Sequence, residues 1–367
     1  MFYKNVIRPI LFKLEPEFVH NIAIKFLKLV SEIKPVFFLI KKYCLVDSKI
    51  LESEIGNLKF SNPVGLAAGF DKNITAPLAY SMLGFGFAEL GSITYESQSG
   101  NPRPRLWRIP KDKGLIVYYG LSNCGVKKAL QKIKKIKKRF IPYGVSIAPT
   151  TRVGESGMLG DYLKSFSEVY ELADYVTLNV SCPNVVACSI FIQIDFIKNL
   201  LKAINESRKD KKEFKDIFIK ISPDMDYEYL DKIVDLCLEY SITGIVATNL
   251  IKNRSNLSGS ESEKEKLEHP GGVSGKLLQN KSTQIISRIY NRSEGKLKII
   301  GVGGIFTGQD AYDKIKAGAS ALQMITGFIY EGPLAVRRIN LEVLDLMKKD
   351  GFKSLKEVVG INHKSFV

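Results

Sequence analysis

From about residue 55 onward the chain repeats one unit: a short apolar run, a polar or glycine-rich turn, then a longer amphipathic stretch. The runs fall at residues 63–70, 85–93, 141–148, 175–180, 217–221, 244–248, 298–302 and 321–326. VTLNV, IFIKI, GIVAT and KIIGV are continuously apolar rather than alternating, which is the pattern of strands buried on both faces. Strands that alternate with helical segments predict a parallel sheet, and eight such units predict its closure. The expected fold is α/β, a (β/α)8 TIM barrel, with a doubly wound open sheet as the alternative. Such a barrel uses about 250 residues or more as one domain, so a chain of 367 residues needs no second core.

What precedes the barrel reads differently. Between Glu17 and Val30 the apolar residues Phe18, Val19, Ile22, Ala23, Phe26, Leu27 and Val30 form one helical stripe, and a second apolar segment, Val36 to Ile40, closes on Lys41 and Lys42. The expected division is a helical extension over residues 1–50 and a barrel over 51–367. Lys4, Arg8 and Lys13 interrupt the first apolar stretches, and no run of about 20 apolar residues appears that could span a membrane.

The net charge of +16 favours anionic partners, yet the densest basic run, Lys127 to Arg139, spaces Leu130, Ile133 and Ile136 three apart. It reads as one surface helix with a solvated basic face. No aromatic residues interleave it, which argues against nucleic acid as a partner. The five cysteines, Cys44, Cys124, Cys182, Cys188 and Cys237, contain no CxxC pair, which argues against a disulfide framework or a metal site and for a reducing compartment. The polar segment 252–270 reads as a long mobile loop on the catalytic face, with a lid and a plain solvated insertion both open.

Barrel enzymes carry their reactive groups where strands end. The first strand ends in Ala67-Ala68-Gly69-Phe70-Asp71-Lys72-Asn73, small residues beside a cation. The fourth ends in Asn179-Val180-Ser181-Cys182-Pro183-Asn184, two amides around a thiol; the fifth carries Lys220, and the sixth ends in Thr248-Asn249. Gly301-Val302-Gly303-Gly304 and Thr326-Gly327 close the seventh and eighth units, where bare backbone N–H groups commonly hold phosphate. A phosphate-bearing cofactor is expected there.

LAAGFDKN, ELGSIT, GNPRPRLWR, NVSCPN, KISPD, GIVATN, GGVSG, IIGVGGI and GFIYEGP follow one another across nearly the whole chain. In this order they resemble the motifs of dihydroorotate dehydrogenases, and LEPEFVHNIA resembles the helical extension of the quinone-using, membrane-associated branch. The resemblance implies oxidation of dihydroorotate to orotate in pyrimidine (UMP) biosynthesis, with FMN taking a hydride, a base removing the neighbouring proton and quinone accepting the electrons. It implies a peripheral protein in contact with lipid at the cytoplasmic face of the cell membrane.

Carried over residue by residue, it places Ala68, Gly69, Ser92, Ser146, Asn179, Lys220, Thr248, Gly275, Gly304, Ile325 and Thr326 at the flavin. Lys72, Asn179, Asn184 and Asn249 fall at the substrate, and His20 and Arg108 at a quinone tunnel. Cys182 stands at the catalytic-base position, where the quinone-using branch has Ser. A thiol ionises near pH 8.5, far more readily than a hydroxyl, so it suits the task; buried as a small hydrophobe, it would be inert.

The sequence departs from the family pattern at Val117, Val185 to Ala187 and Leu250 on the substrate side, and at Ser92, Ser146 and Ile325 on the flavin side. Each lost hydrogen bond to a polar ligand costs about 1–3 kcal/mol, and water can fill in for the shorter serines. Two other readings therefore stay open: a diverged flavin barrel acting on another unsaturated substrate, and a non-catalytic flavin- or membrane-binding relative.

Overall fold

The computed structural model describes residues 2–181, 193–209 and 211–366. Thirteen strands are described: β1 Ser53–Ile55, β2 Leu58–Phe60, β3 Val64–Leu66, β4 Phe87–Ile93, β5 Leu106–Ile109, β6 Gly114–Val117, β7 Tyr143–Ile147, β8 Tyr175–Asn179, β9 Asp216–Ile221, β10 Gly244–Ala247, β11 Gly272–Gly275, β12 Lys298–Val302 and β13 Ala321–Met324. Eight of them, β3, β4, β7, β8, β9, β10, β12 and β13, form a closed barrel in which each pairs with its neighbours in chain order. Every barrel pairing is parallel, with β13 returning to β3 through Leu322↔Val64 and Met324↔Leu66. Closure removes both sheet edges and excludes the open doubly wound sheet.

The amino-terminal mouth is plugged by the β1–β2 hairpin, whose Ile55 and Phe60 pack with Phe87, Tyr175, Phe218, Val246 and Ile300 from the strands. At the opposite mouth β5, β6 and β11 make a separate antiparallel sheet that roofs the barrel. Neither element follows from periodicity: the strands are three or four residues long, and β11 reaches β6 from far along the chain.

Among the described residues three α-helices precede the barrel: α1 Arg8–Phe12, α2 Pro16–Glu32 and α3 Lys34–Cys44. Glu15 caps α2 by accepting from the backbone N–H groups of Glu17 and Phe18, with Pro16 at the first helical position. The helix α2 packs on the helix Pro77–Met82 and on β5. It does so through Ile24 and the half-buried Leu27 and Val30, leaving Phe18, Ile22, Phe26 and Leu29 each more than half exposed. On α3, Phe37 is buried while Phe38 and Leu39 point outward. Among the described residues no helix is long and apolar enough to cross a membrane.

Two expectations are corrected. The basic helix ends at Lys134 rather than Arg139; the chain leaves it so that Arg139 can bond Asp174 (2.9 Å) and the Leu172 carbonyl (2.6 Å) at the foot of β7. The segment 252–270 is built rather than loose. It holds a capping box between Ser260 and Glu263 and the short helix Lys264–Leu267, and Arg254 donates to the carbonyls of Leu267, His269 and Gly271. Asp112, in the β5–β6 turn, accepts from Gly259 N (2.8 Å), and His269 stacks on Trp107 with centroids 4.2 Å apart.

Candidate active site

The carboxyl ends of the barrel strands and the inner face of the roof enclose one cavity. Its wall contains Ala68, Gly69, Lys72, Ser92, Asn179, Lys220, Thr248, Asn249, Gly275, Gly304, Ile325 and Thr326, thirteen sequence-expected residues once His20 on α2 is added. Ser146 is fully buried behind that wall. Cys182 and Asn184, with Val185 to Ala187, lie outside the described residues.

A row of polar side chains crosses four strand ends. Ser146 Oγ and Ser92 Oγ meet at 2.8 Å, so the two short hydroxyls partner each other. Asn179 Nδ2 donates to Ser92 Oγ (2.8 Å), and Asn249 Nδ2 donates to Ser181 Oγ (3.0 Å) and reaches Asn179 Oδ1 at 3.4 Å. Ser181 Oγ in turn donates to Asn179 Oδ1 (3.1 Å). Each member fixes the rotamer of the next, which prepares amide groups of defined direction before any ligand arrives.

Two lysines bring positive charge to the same space. Lys220 sits on β9 opposite Asn179 of β8 and is only 4% exposed. The Lys72 ammonium donates to the Gly69 carbonyl (2.9 Å) and lies 3.6 Å above the Tyr119 ring. Burial pushes its pKa down to about 8, with Glu17 opposing that fall. A cation held in this way suits a carboxylate ligand.

The far end of the cavity is a backbone cradle. Gly303, Gly304 and Gly275 have φ of +118°, +71° and +121°, conformations that L side chains rarely adopt. Ser274 Oγ and Thr326 Oγ1 meet at 2.7 Å beside them. Bare N–H groups and two hydroxyls, brought together from β11 and the ends of β12 and β13, are the donor set a phosphate requires. At Gly69 (φ +110°) an added Cβ would meet only Ile325 Cδ1 at 3.7 Å, so this turn borders open space where a flat ring can approach backbone. The residues present therefore fit a phosphate-bearing planar cofactor.

His20 joins the wall from α2, its ring edge-on to Phe70 at 5.1 Å, and burial holds its pKa down to about 3, leaving a neutral imidazole. Arg108 lies outside the cavity wall; its guanidinium bonds the Leu14 carbonyl (2.7 Å) and lies 4.6 Å from the Phe12 ring, tying down the turn between α1 and α2. Val117 and Leu250, two of the departures, do line the cavity and make it more apolar. Sequence reasoning missed Ser274 and Tyr119. The first stood in plain sight beside Gly275, while the second belongs to the roof, which leaves no periodic signal.

Comparison with known proteins identifies the family. The dihydroorotate dehydrogenase family model matches residues 50–347. A dihydroorotate dehydrogenase (quinone) from Nostoc punctiforme is 39% identical over 375 residues, covering 99% of each chain. Another from Gloeobacter violaceus is 39% identical over 353 residues, covering 96% of this chain and 97% of its own. Among solved structures, DHODH from Eimeria tenella in complex with ferulenol superposes with a TM-score of 0.82 at 31% identity, covering 95% of this chain and 96% of its own. The chain belongs to the quinone-using branch of the dihydroorotate dehydrogenase family.

Proposed function

We propose that this chain holds FMN in the strand-end cavity and oxidises dihydroorotate to orotate, with quinone as the electron acceptor. The observation that carries this reading is the pair Asn179 and Asn249, bridged by Ser181, on the wall of the same cavity as Lys72 and Lys220. The chemistry FMN supplies when bound is acceptance of the hydride from dihydroorotate and delivery of the electrons to quinone.

Gly275, Gly303, Gly304 and Thr326 hold the phosphate, while Ala68, Gly69, Ser92 and Thr248 border the ring, with Ser146 bracing Ser92. Lys220 supplies a cation where negative charge develops on reduction. Lys72 would pair with the substrate carboxylate, and Asn179, Asn184 and Asn249 would orient the pyrimidine for loss of a hydride and a proton. That base is Cys182, which follows the buried Ser181 directly and takes the proton from the carbon next to the one that loses hydride.

Residues 1–50 form the extension through which quinone enters beside His20, and residues 51–367 form the catalytic barrel. The exposed apolar side chains of α2 and α3, with Lys41 and Lys42 at the end of α3, rest on the cytoplasmic face of the membrane. The test is turnover: dihydroorotate with a soluble quinone should yield orotate, and deletion through Lys42 should remove quinone reduction while flavin stays bound. Undiminished quinone reduction by the truncated protein overturns the assignment of the extension.

A further inference from the structure

Glu17 has no part in the roles above, yet it is a carboxylate only 5% exposed in the first turn of α2. Arg105, itself 6% exposed, grips it through Nε (3.1 Å) and Nη2 (2.8 Å), and Arg103 adds a contact at 3.1 Å. The Arg105 guanidinium lies 4.9 Å from the Tyr119 ring centroid, and the Lys72 ammonium lies 3.6 Å from the same centroid. The extension and the substrate lysine are thus joined by a stack running Lys72, Tyr119, Arg105, Glu17.

The charges in this stack are unequal. Lys72 and Arg105 both lie against the Tyr119 ring, Arg103 reaches Glu17 from the exposed side, and His20 on the same helix as Glu17 is neutral. Of the two nearby carboxylates, Asp71 is committed to the N–H groups of Thr75 and Ala76 and to the Tyr80 hydroxyl, all at 2.8–2.9 Å. Glu17 is the carboxylate that answers the cations. We infer that Glu17 is a positioning residue that keeps Lys72 an ammonium, so that the seating of the helical extension on the barrel sets the affinity for the substrate carboxylate. This rests on the reading that Lys72 receives that carboxylate.

The electrostatics run the same way. Burial lowers the Lys72 pKa to about 8, Glu17 is the strongest influence opposing it, ahead of Asp71, and Arg105 pushes it lower. Lys72 binds a carboxylate in its protonated form. Affinity should therefore decline as pH rises through about 8, and should begin to decline at lower pH once Glu17 is neutralised.

The experiment uses the full-length, flavin-loaded protein: anaerobic reduction of the flavin by dihydroorotate, followed by stopped flow over about pH 6–10. Glu17→Gln should move the alkaline limb of the apparent dissociation constant down by about one unit, roughly fivefold weaker binding near pH 8, with the limiting rate at saturating substrate preserved. Glu17→Asp should restore the limb. A limb unmoved by Glu17→Gln, or binding weakened equally at every pH, overturns the inference. Should Glu17→Gln fail to load flavin, Arg105→Gln decides: Arg105 is the cation that pushes Lys72 lower, so its removal should raise the limb, and an unmoved or lowered one overturns the inference. Wild-type flavin that dihydroorotate does not reduce defeats the Lys72 assignment itself, and the inference with it.

Discussion

Gly304 and Gly154 form a matched pair for testing the cofactor cradle. At Gly304 φ is +71°, and an added Cβ would come within 2.4 Å of Gln279 Cα and 2.6 Å of Gln279 N. At Gly154 φ is +64°, and an added Cβ meets nothing within 4 Å. Substitution by alanine at either site imposes a sparsely populated backbone conformation, costing about 1–3 kcal/mol. Only at Gly304 does overlap with backbone add about 1–3 kcal/mol more, because the entry to the helix Leu278–Arg292 must shift to relieve it. Gly304→Ala should thus lose roughly 2–6 kcal/mol of stability, Gly154→Ala roughly 1–3 kcal/mol. Since about 1.4 kcal/mol is tenfold in affinity, a displaced Gly304 turn should weaken flavin binding tenfold or more, and Gly154→Ala should leave it unchanged. Urea unfolding reads the first quantity and flavin fluorescence on dilution the second. If Gly304→Ala retains flavin as tightly as Gly154→Ala, the cradle has been assigned to the wrong turn.

Three further outcomes are expected. Cys182→Ala should leave flavin bound while lowering its reduction by dihydroorotate at least a hundredfold, the lower end of general-base contributions; near wild-type stopped-flow rates would exclude the thiol as base. Lys314 is fully buried, donates to Gln279 O (3.1 Å), Ser282 Oγ (2.7 Å) and Thr283 Oγ1 (2.9 Å), and burial pushes its pKa down to about 7 from 10.5. Between those values the unfolded chain holds the extra proton, so this contribution to stability rises with pH from about 7 and is complete near 10.5. Lys314→Met should flatten that slope in urea titrations at several pH values, and an unchanged slope would contradict it. Finally, Phe26 and Leu39 are 62% and 72% exposed. Replacing both by Ser should forfeit roughly 2 kcal/mol of apolar transfer and reduce vesicle flotation more than tenfold; equal flotation would place the lipid contact elsewhere.

Much of the barrel was legible because strands buried on both faces are largely apolar, and each of the eight expected runs overlaps a barrel strand. Their ends were not. The run 63–70 shrinks to Val64–Leu66 because the chain turns at Gly69 and Asp71 folds back to cap Thr75 and Ala76. The roof sheet escaped notice because its pairing joins Gly114–Val117 to Gly272–Gly275, and no local pattern records a partner that distant. The same limit hid Tyr119 and the grip of Arg105 on Glu17. On α2 the sequence shows an apolar stripe but not what it faces; the structure turns Phe18, Ile22, Phe26 and Leu29 outward, whereas a core helix would carry the same residues inward. Strand-end residues such as Lys72, Asn179, Lys220 and Asn249 were readable because a barrel delivers all strand ends to one rim. Val117 and Leu250 remain the positions where this cavity is more apolar than the family pattern, and Tyr119 and Lys72 line the wall beside them.

The central claim is that the cavity oxidises dihydroorotate through a bound flavin. The measurement is an anaerobic titration of the purified, flavin-loaded protein with dihydroorotate, followed by addition of quinone. The account predicts that the flavin absorbance bleaches in proportion to the orotate formed and returns when quinone is added. Flavin that stays oxidised at every dihydroorotate concentration would contradict it.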